Sequence, residues 1–211
     1  LKNLFTVFVS PEATFKRVKE SRTAWILPLI VLLVASVIVT YLQMPAMEGE
    51  MRKALQQQQL DPAMVETLMA TTQVTSYVSV GVMSVAMIFV MALLLLLLNL
   101  IVRGEGKYMQ FVSVASYAAL PGIVGGLITG ILIRVLDVQS VTDMSLSLGA
   151  FVADKSSQLY KLLSILDPFS IWSLILYVIG SAVMMQRPRK TIAIWITAVW
   201  LIFTLGSVLL V

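Results

Sequence analysis

Apolar positions fall in five long runs, Trp25–Leu42, Thr75–Val102, Phe111–Leu136, Phe169–Met185 and Ile192–Val211, separated by polar stretches. Each run is close to or above the ~20 residues that an α-helix needs to cross a bilayer. None holds an Asp, Glu, Lys or Arg apart from Arg134, near one end of the third. The pattern predicts an all-α, polytopic membrane protein: a five-transmembrane-helix bundle formed by a single membrane domain over residues 1–211. A hydrophobic share of 59%, a charged share of 12% and a mean hydropathy of +0.94 agree with that reading.

The polar stretches carry helix signals of their own. Ser10-Pro11-Glu12 reads as a helix start, with Ser as N-cap and Pro at the first helical position. Phe15 and Val18 share one face of that segment, while Lys16, Arg17, Lys19 and Arg22 are its basic residues and the expected contacts to the membrane surface; a solvated juxtamembrane tail and a face that binds protein are the alternatives. Residues 1–23 are too polar for a signal-peptide core, so no cleavable signal is expected. In the first long loop, Gln43–Val74, Met47, Met51 and Leu55 recur at helical spacing before the run Gln56–Gln59, and Asp61-Pro62 restarts a helix that meets no breaker before the second apolar run. At 1.5 Å per residue, Pro62–Val74 would carry that helix ~20 Å beyond the membrane. In the second long loop, Ser156–Leu166 reads as an amphipathic helix with Leu159, Leu162, Leu163 and Leu166 on one face, and Asp167-Pro168 starts the fourth run. Gly104 and Gly106 permit a tight turn between the second and third runs.

The charges set an orientation. Of the 15 Lys and Arg, ten lie in the segment before the first run and in the two short loops, and five on the other side, in the two long loops and at Arg134. The positive-inside rule places the N-terminus in the cytoplasm and the C-terminus outside. The chain is expected to be a multi-pass membrane protein in that orientation.

Chemistry-bearing residues are few. The chain has no Cys and no His, which removes thiol nucleophiles, imidazole relays and the usual zinc ligands. A Met-rich loop suits Cu(I) by thioether softness. Met also fills gaps, and with no His or Cys beside it the reading taken is packing, with no metal and no cofactor. No run supplies a nucleophile with a base, so no enzyme is expected. No run supplies a mid-membrane ionisable pair for a coupled transporter either. The third run holds the most specific pattern. Ala118, Gly122, Gly126 and Gly130 recur every four residues and form a small-residue ridge for helix packing. Pro121 beside them cannot donate to the carbonyl of Tyr117, so a kink is expected there.

Ser10-Pro11 with Phe15 and Trp25-Ile26-Leu27-Pro28-Leu29 resembles the entry to the first span in bacterial Yip-family proteins. Phe111 followed by Ser116-Tyr117-Ala118-Ala119-Leu120-Pro121 resembles their third span, and Leu166-Asp167-Pro168-Phe169-Ser170-Ile171-Trp172 the entry to their fourth. The resemblance implies a non-catalytic membrane scaffold or accessory subunit whose partners are the lipid bilayer and another integral membrane protein, an ABC-type exporter or envelope-stress system, or a second copy of the chain. No nucleic acid is implied. Two alternatives stay open: passive permeation or lipid movement along the kinked third helix, and, for a eukaryotic source, traffic linked to Rab-type GTPases.

Overall fold

The computed structural model describes every residue except Gln59, Gln139, Thr142, Asp143, Leu210 and Val211, and leaves out the side chains of Gln56, Ser207 and Leu209. The ends of two sequence expectations, Gln59 of the glutamine run and Leu210–Val211 of the fifth apolar run, therefore lie outside the described residues. The described chain is all-helical: α1 (Lys2–Val9), α2 (Pro11–Lys19), α3 (Ile26–Gln57), α4 (Pro62–Ile101), α5 (Tyr108–Ala118), α6 (Leu120–Leu136), a 3-10 turn (Leu148–Phe151), α7 (Gln158–Ser164), α8 (Pro168–Met185) and α9 (Arg189–Leu209). Five helical stretches, α3, α4, α5 with α6, α8 and α9, are long and apolar enough to cross a membrane.

The helices outrun the apolar runs that predict them. With 40 residues, α4 rises about 60 Å, twice the ~30 Å of a bilayer's hydrocarbon layer. It starts where Asp61-Pro62 says it should, with Asp61 Oδ1 accepting from the Ala63 amide at 2.8 Å. The start at Pro11 is also where the sequence puts it, but the Ser10 side chain makes no capping bond. Instead the Ser10 carbonyl accepts from the Thr14 hydroxyl at 3.0 Å. The predicted helix at Ser156–Leu166 is shorter, Gln158–Ser164, and Ser157 caps it by accepting from the Tyr160 amide. Three helix ends, after α4, α6 and α8, carry a non-glycine residue at positive φ: Arg103, Asp137 and Gln186. Each lies between the residues of a six-to-one bond such as Gly104 N–H to Asn99 O at 2.7 Å, which satisfies carbonyls the helix end would otherwise leave bare.

Residues 1–32, 85–122 and 168–211 pack as one compact unit, and residues 33–84 and 123–167 as another. In the first, α2 lies on α5 and α8, α5 on α8, and α8 on α9. Its buried residues include Phe15, Val18, Phe111, Val114, Leu176, Met184 and Met185. In the second, the 3-10 turn packs on α7 about Gly149, where a Cβ would sit 2.4 Å from the Ser164 hydroxyl oxygen.

Candidate functional site

The best-built feature of the first unit is the seat of α2. Phe15 is fully buried and meets the Tyr117 ring edge-on, with centroids 6.3 Å apart and planes at 85°. Gly180 of α8 makes room for it: a Cβ there would stand 2.8 Å from Val114 Cγ1 and 2.9 Å from Phe15 Cζ. The apolar face of α2, Phe15 and Val18, is thus covered by protein. Of the basic residues assigned to the membrane surface, Lys16, Arg17 and Arg22 are exposed and Lys19 half-buried. Arg17 is engaged within the unit: its guanidinium donates to Thr6 Oγ1 at 3.0 Å, Thr14 Oγ1 at 3.1 Å and Asn3 Oδ1 at 3.3 Å, which ties α1 to α2. Lys16 pairs with Glu12 at 2.8 Å, and Glu12 also pairs with Arg189 at the start of α9. The Lys16 hydrogen bond first, and then Arg189, hold the Glu12 carboxyl below the usual carboxylate range.

A second device fixes the α4–α5 turn. Asn99, buried near the end of α4, accepts from the Gly106 amide at 3.0 Å and donates to the Gly106 carbonyl at 3.3 Å. A Cβ at Gly104 would stand 2.3 Å from Asn99 Oδ1 and 2.8 Å from Met185 Cβ. The expected turn glycine is present, but it supplies space: no glycine has a positive φ among the described residues. Glu105 closes the turn by donating its amide to the Met185 carbonyl at 3.2 Å.

The third apolar run is interrupted at Ala119, two residues before Pro121, which dispenses with the bond to the Tyr117 carbonyl. Tyr117, Ala118 and Pro121 are buried in the first unit. The four-residue ridge is occupied unevenly. Gly126 and Gly130 take side chains of α3 in the second unit, where a Cβ would lie 3.2 Å from Val39 Cγ1 and 2.7 Å from Leu42 Cβ respectively. Gly122 has nothing within 4 Å of the same position.

The charge inside an apolar run also has a structural task. Pro45 lies within α3 and cannot donate to the carbonyl of Tyr41, four residues back. Arg134 of α6 takes over, donating from Nη2 to the Tyr41 carbonyl at 2.6 Å and from Nε to the Leu42 carbonyl at 3.1 Å. Its guanidinium also lies 4.9 Å from the centroid of the Tyr41 ring. The sequence shows Arg134 and Tyr41 but not their meeting, because 93 positions separate them. Of the buried hydroxyls, Ser113 and Ser116 donate to the carbonyls of Met109 and Val112 in their own helix, whereas Ser164 Oγ and Ser181 Oγ have no hydrogen-bond partner among the described residues. Among the described residues no group of three or more His, Cys, Asp or Glu gathers.

Comparison with known proteins gives a family. The model of the Yip1 domain matches residues 5–210. The chain is 26% identical over 179 residues to Membrane protein YknW of Bacillus subtilis, covering 84% of this chain and 76% of that one. It is 23% identical over 129 residues to Uncharacterized protein MJ0794 of Methanocaldococcus jannaschii, covering 61% of this chain and 86% of that one. No solved structure matches the chain. With five helices fit to cross a bilayer and a family match over nearly its whole length, this chain belongs to the Yip1 domain family of membrane proteins.

Proposed function

We propose that the protein is a non-catalytic scaffold or accessory subunit in the bacterial cytoplasmic membrane, working by contact with another integral membrane protein, an ABC-type exporter by family resemblance. The observation that carries this reading is Arg134. It is the charged side chain of the apolar runs, and its donors are engaged by the Tyr41 and Leu42 carbonyls. A proton- or ion-coupled carrier needs an ionisable group available along its path, and this one donates to the α3 backbone one turn before Pro45. The hydroxyls of Ser113 and Ser116 serve their own helix rather than a base. The docked α2 supports the scaffold half of the reading. Its apolar side is committed to α5 and α8, and Lys16 and Arg22 are exposed, which supports a fixed platform whose basic residues meet the membrane surface in this reading. The exposed side of α4, Val82, Val90 and Leu97 among others, is the surface offered to a partner helix within the bilayer. Photo-crosslinking residues placed at Val82, Val90 and Leu97 test this in native membranes. A discrete adduct with one integral membrane protein is the expected result, and lipid adducts alone at all three positions would refute the partnership.

A further inference from the structure

Met44, Met47 and Met51 recur at spacings of three and four along α3, which puts their side chains on one helix face. In the second unit that face meets Met69 of α4, and the four thioethers line one cleft of about 250 Å3 together with Glu48 and Glu50. The cleft is open to the surface, with Met47 exposed at its edge, so an ion can reach the methionines that line it. We propose that this cleft binds a monovalent soft cation, Cu(I) or its analogue Ag(I), through methionine sulfur. Thioether sulfur favours soft monovalent copper over hard cations. Oxygen donors are also present in Thr72, Gln73 and Ser76, but these are neutral and Glu50 is engaged by Val141 and Ser140, which leaves one carboxylate where calcium and magnesium sites draw on several oxygens; zinc sites draw on thiolate or imidazole. Glu50 is part of the wall: its carboxylate accepts from the Val141 amide at 2.9 Å and from the Ser140 hydroxyl. Glu48 supplies the single negative charge that offsets a single positive one. Met44 is buried, Met51 and Met69 are half-buried and Met47 is exposed, so the lining methionines range from covered to open. The chain has no Cys and no His, so a soft ion held by the folded protein has no thiolate or imidazole to choose instead. The site stands independently of the partner reading above.

The test uses the purified full chain in detergent under anaerobic conditions, with Cu(I) kept reduced by ascorbate and contested by the chelator bicinchoninate. The wild-type protein should withdraw a single equivalent of Cu(I), with a sulfur shell in X-ray absorption. The variant Met47→Leu/Met51→Leu/Met69→Leu keeps side-chain volume and should bind ~100-fold more weakly or not at all. Glu48→Gln should weaken binding ~10-fold, the scale of lost outer-shell support. Met83→Leu/Met87→Leu, which alters methionines outside the cleft, should bind as the wild type does. Should the triple variant fail to fold, Met47→Leu and Glu48→Gln alone carry the comparison. Failure of the wild type to compete for Cu(I), a shell of oxygen or nitrogen only, or undiminished binding by the variants would overturn the proposal.

Discussion

Gly180 is the position at which α2's seat can be perturbed with least change elsewhere. The first carbon of any side chain there would stand 2.8 Å from Val114 Cγ1 and 2.9 Å from Phe15 Cζ, and both neighbours are fully buried. Gly180→Leu adds three further carbons to a space already closed to the first. Overpacking a tight core typically costs ~1–3 kcal/mol, and leucine recovers at most ~1 kcal/mol of that through its better helix propensity. Gly122→Leu is the matched control: it makes the same change in α6, where a Cβ meets nothing within 4 Å. At roughly 2–4 °C per kcal/mol for a chain of this length, thermal unfolding in detergent should fall by about 5 °C for Gly180→Leu and hold or rise for Gly122→Leu. Phe15→Ala sharpens the test. Alone it empties the seat and should cost ~3–5 kcal/mol. Combined with Gly180→Leu it vacates the space the leucine needs, so the pair should destabilise by less than the sum, with a coupling of ~0.5–3 kcal/mol. Strict additivity, or equal tolerance of leucine at 180 and 122, would refute the packing argument.

Other outcomes follow from the same contacts. Arg134→Met should leave the Tyr41 carbonyl without its donor and lower stability by ~1–3 kcal/mol; Pro45→Ala, which restores an amide hydrogen four residues on, should recover most of that in thermal unfolding. The Glu12 carboxyl is held low by Lys16 and Arg189, so its contribution is present above its ordinary carboxylate range and lost as pH falls through its depressed folded value. Amide exchange of α2 should therefore quicken as pH drops through that acid range, after correction for intrinsic rates, and Glu12→Gln should abolish the change. Single cysteines at Lys19 and Arg189 should resist an impermeant thiol reagent applied outside the cell while cysteines at Gln57 and Lys155 react; the reverse pattern would invert the orientation drawn from the Lys and Arg bias.

The apolar runs made the five long helices legible, because a bilayer's thickness and the rise of a helix translate hydrophobic length directly into a span. Asp61-Pro62 and Pro121 were equally readable, since a proline's missing hydrogen acts locally. The short helix Lys2–Val9 was not. Leu4, Val7 and Phe8 do fall at helix spacing opposite Asn3 and Thr6, but a stretch of eight residues is too short to hold a helix alone, and the burial of Val7 and the bonds from Arg17 to Asn3 and Thr6 that support it are nonlocal. Asn99 went unread within a leucine-rich run, although a lone amide there was the available signal. The α2 face was read as apolar correctly, but whether lipid or protein covers such a face depends on Gly180, far along the chain. The ridge shows the same limit: periodicity places Gly122, Gly126 and Gly130 together, and only the fold shows that side chains approach the last two.

A protein that works by contact with a membrane partner, as proposed here, moves nothing itself. The most direct measurement is flux in liposomes that contain the purified chain alone, following both a fluorescent lipid between leaflets and trapped small solutes. Rates equal to those of protein-free vesicles, at protein loadings high enough to place several copies in each vesicle, are the predicted result. Lipid or solute movement that rises in proportion to protein content, and that falls when Gly126→Leu or Pro121→Ala alters the third helix, would contradict the claim and make permeation the function.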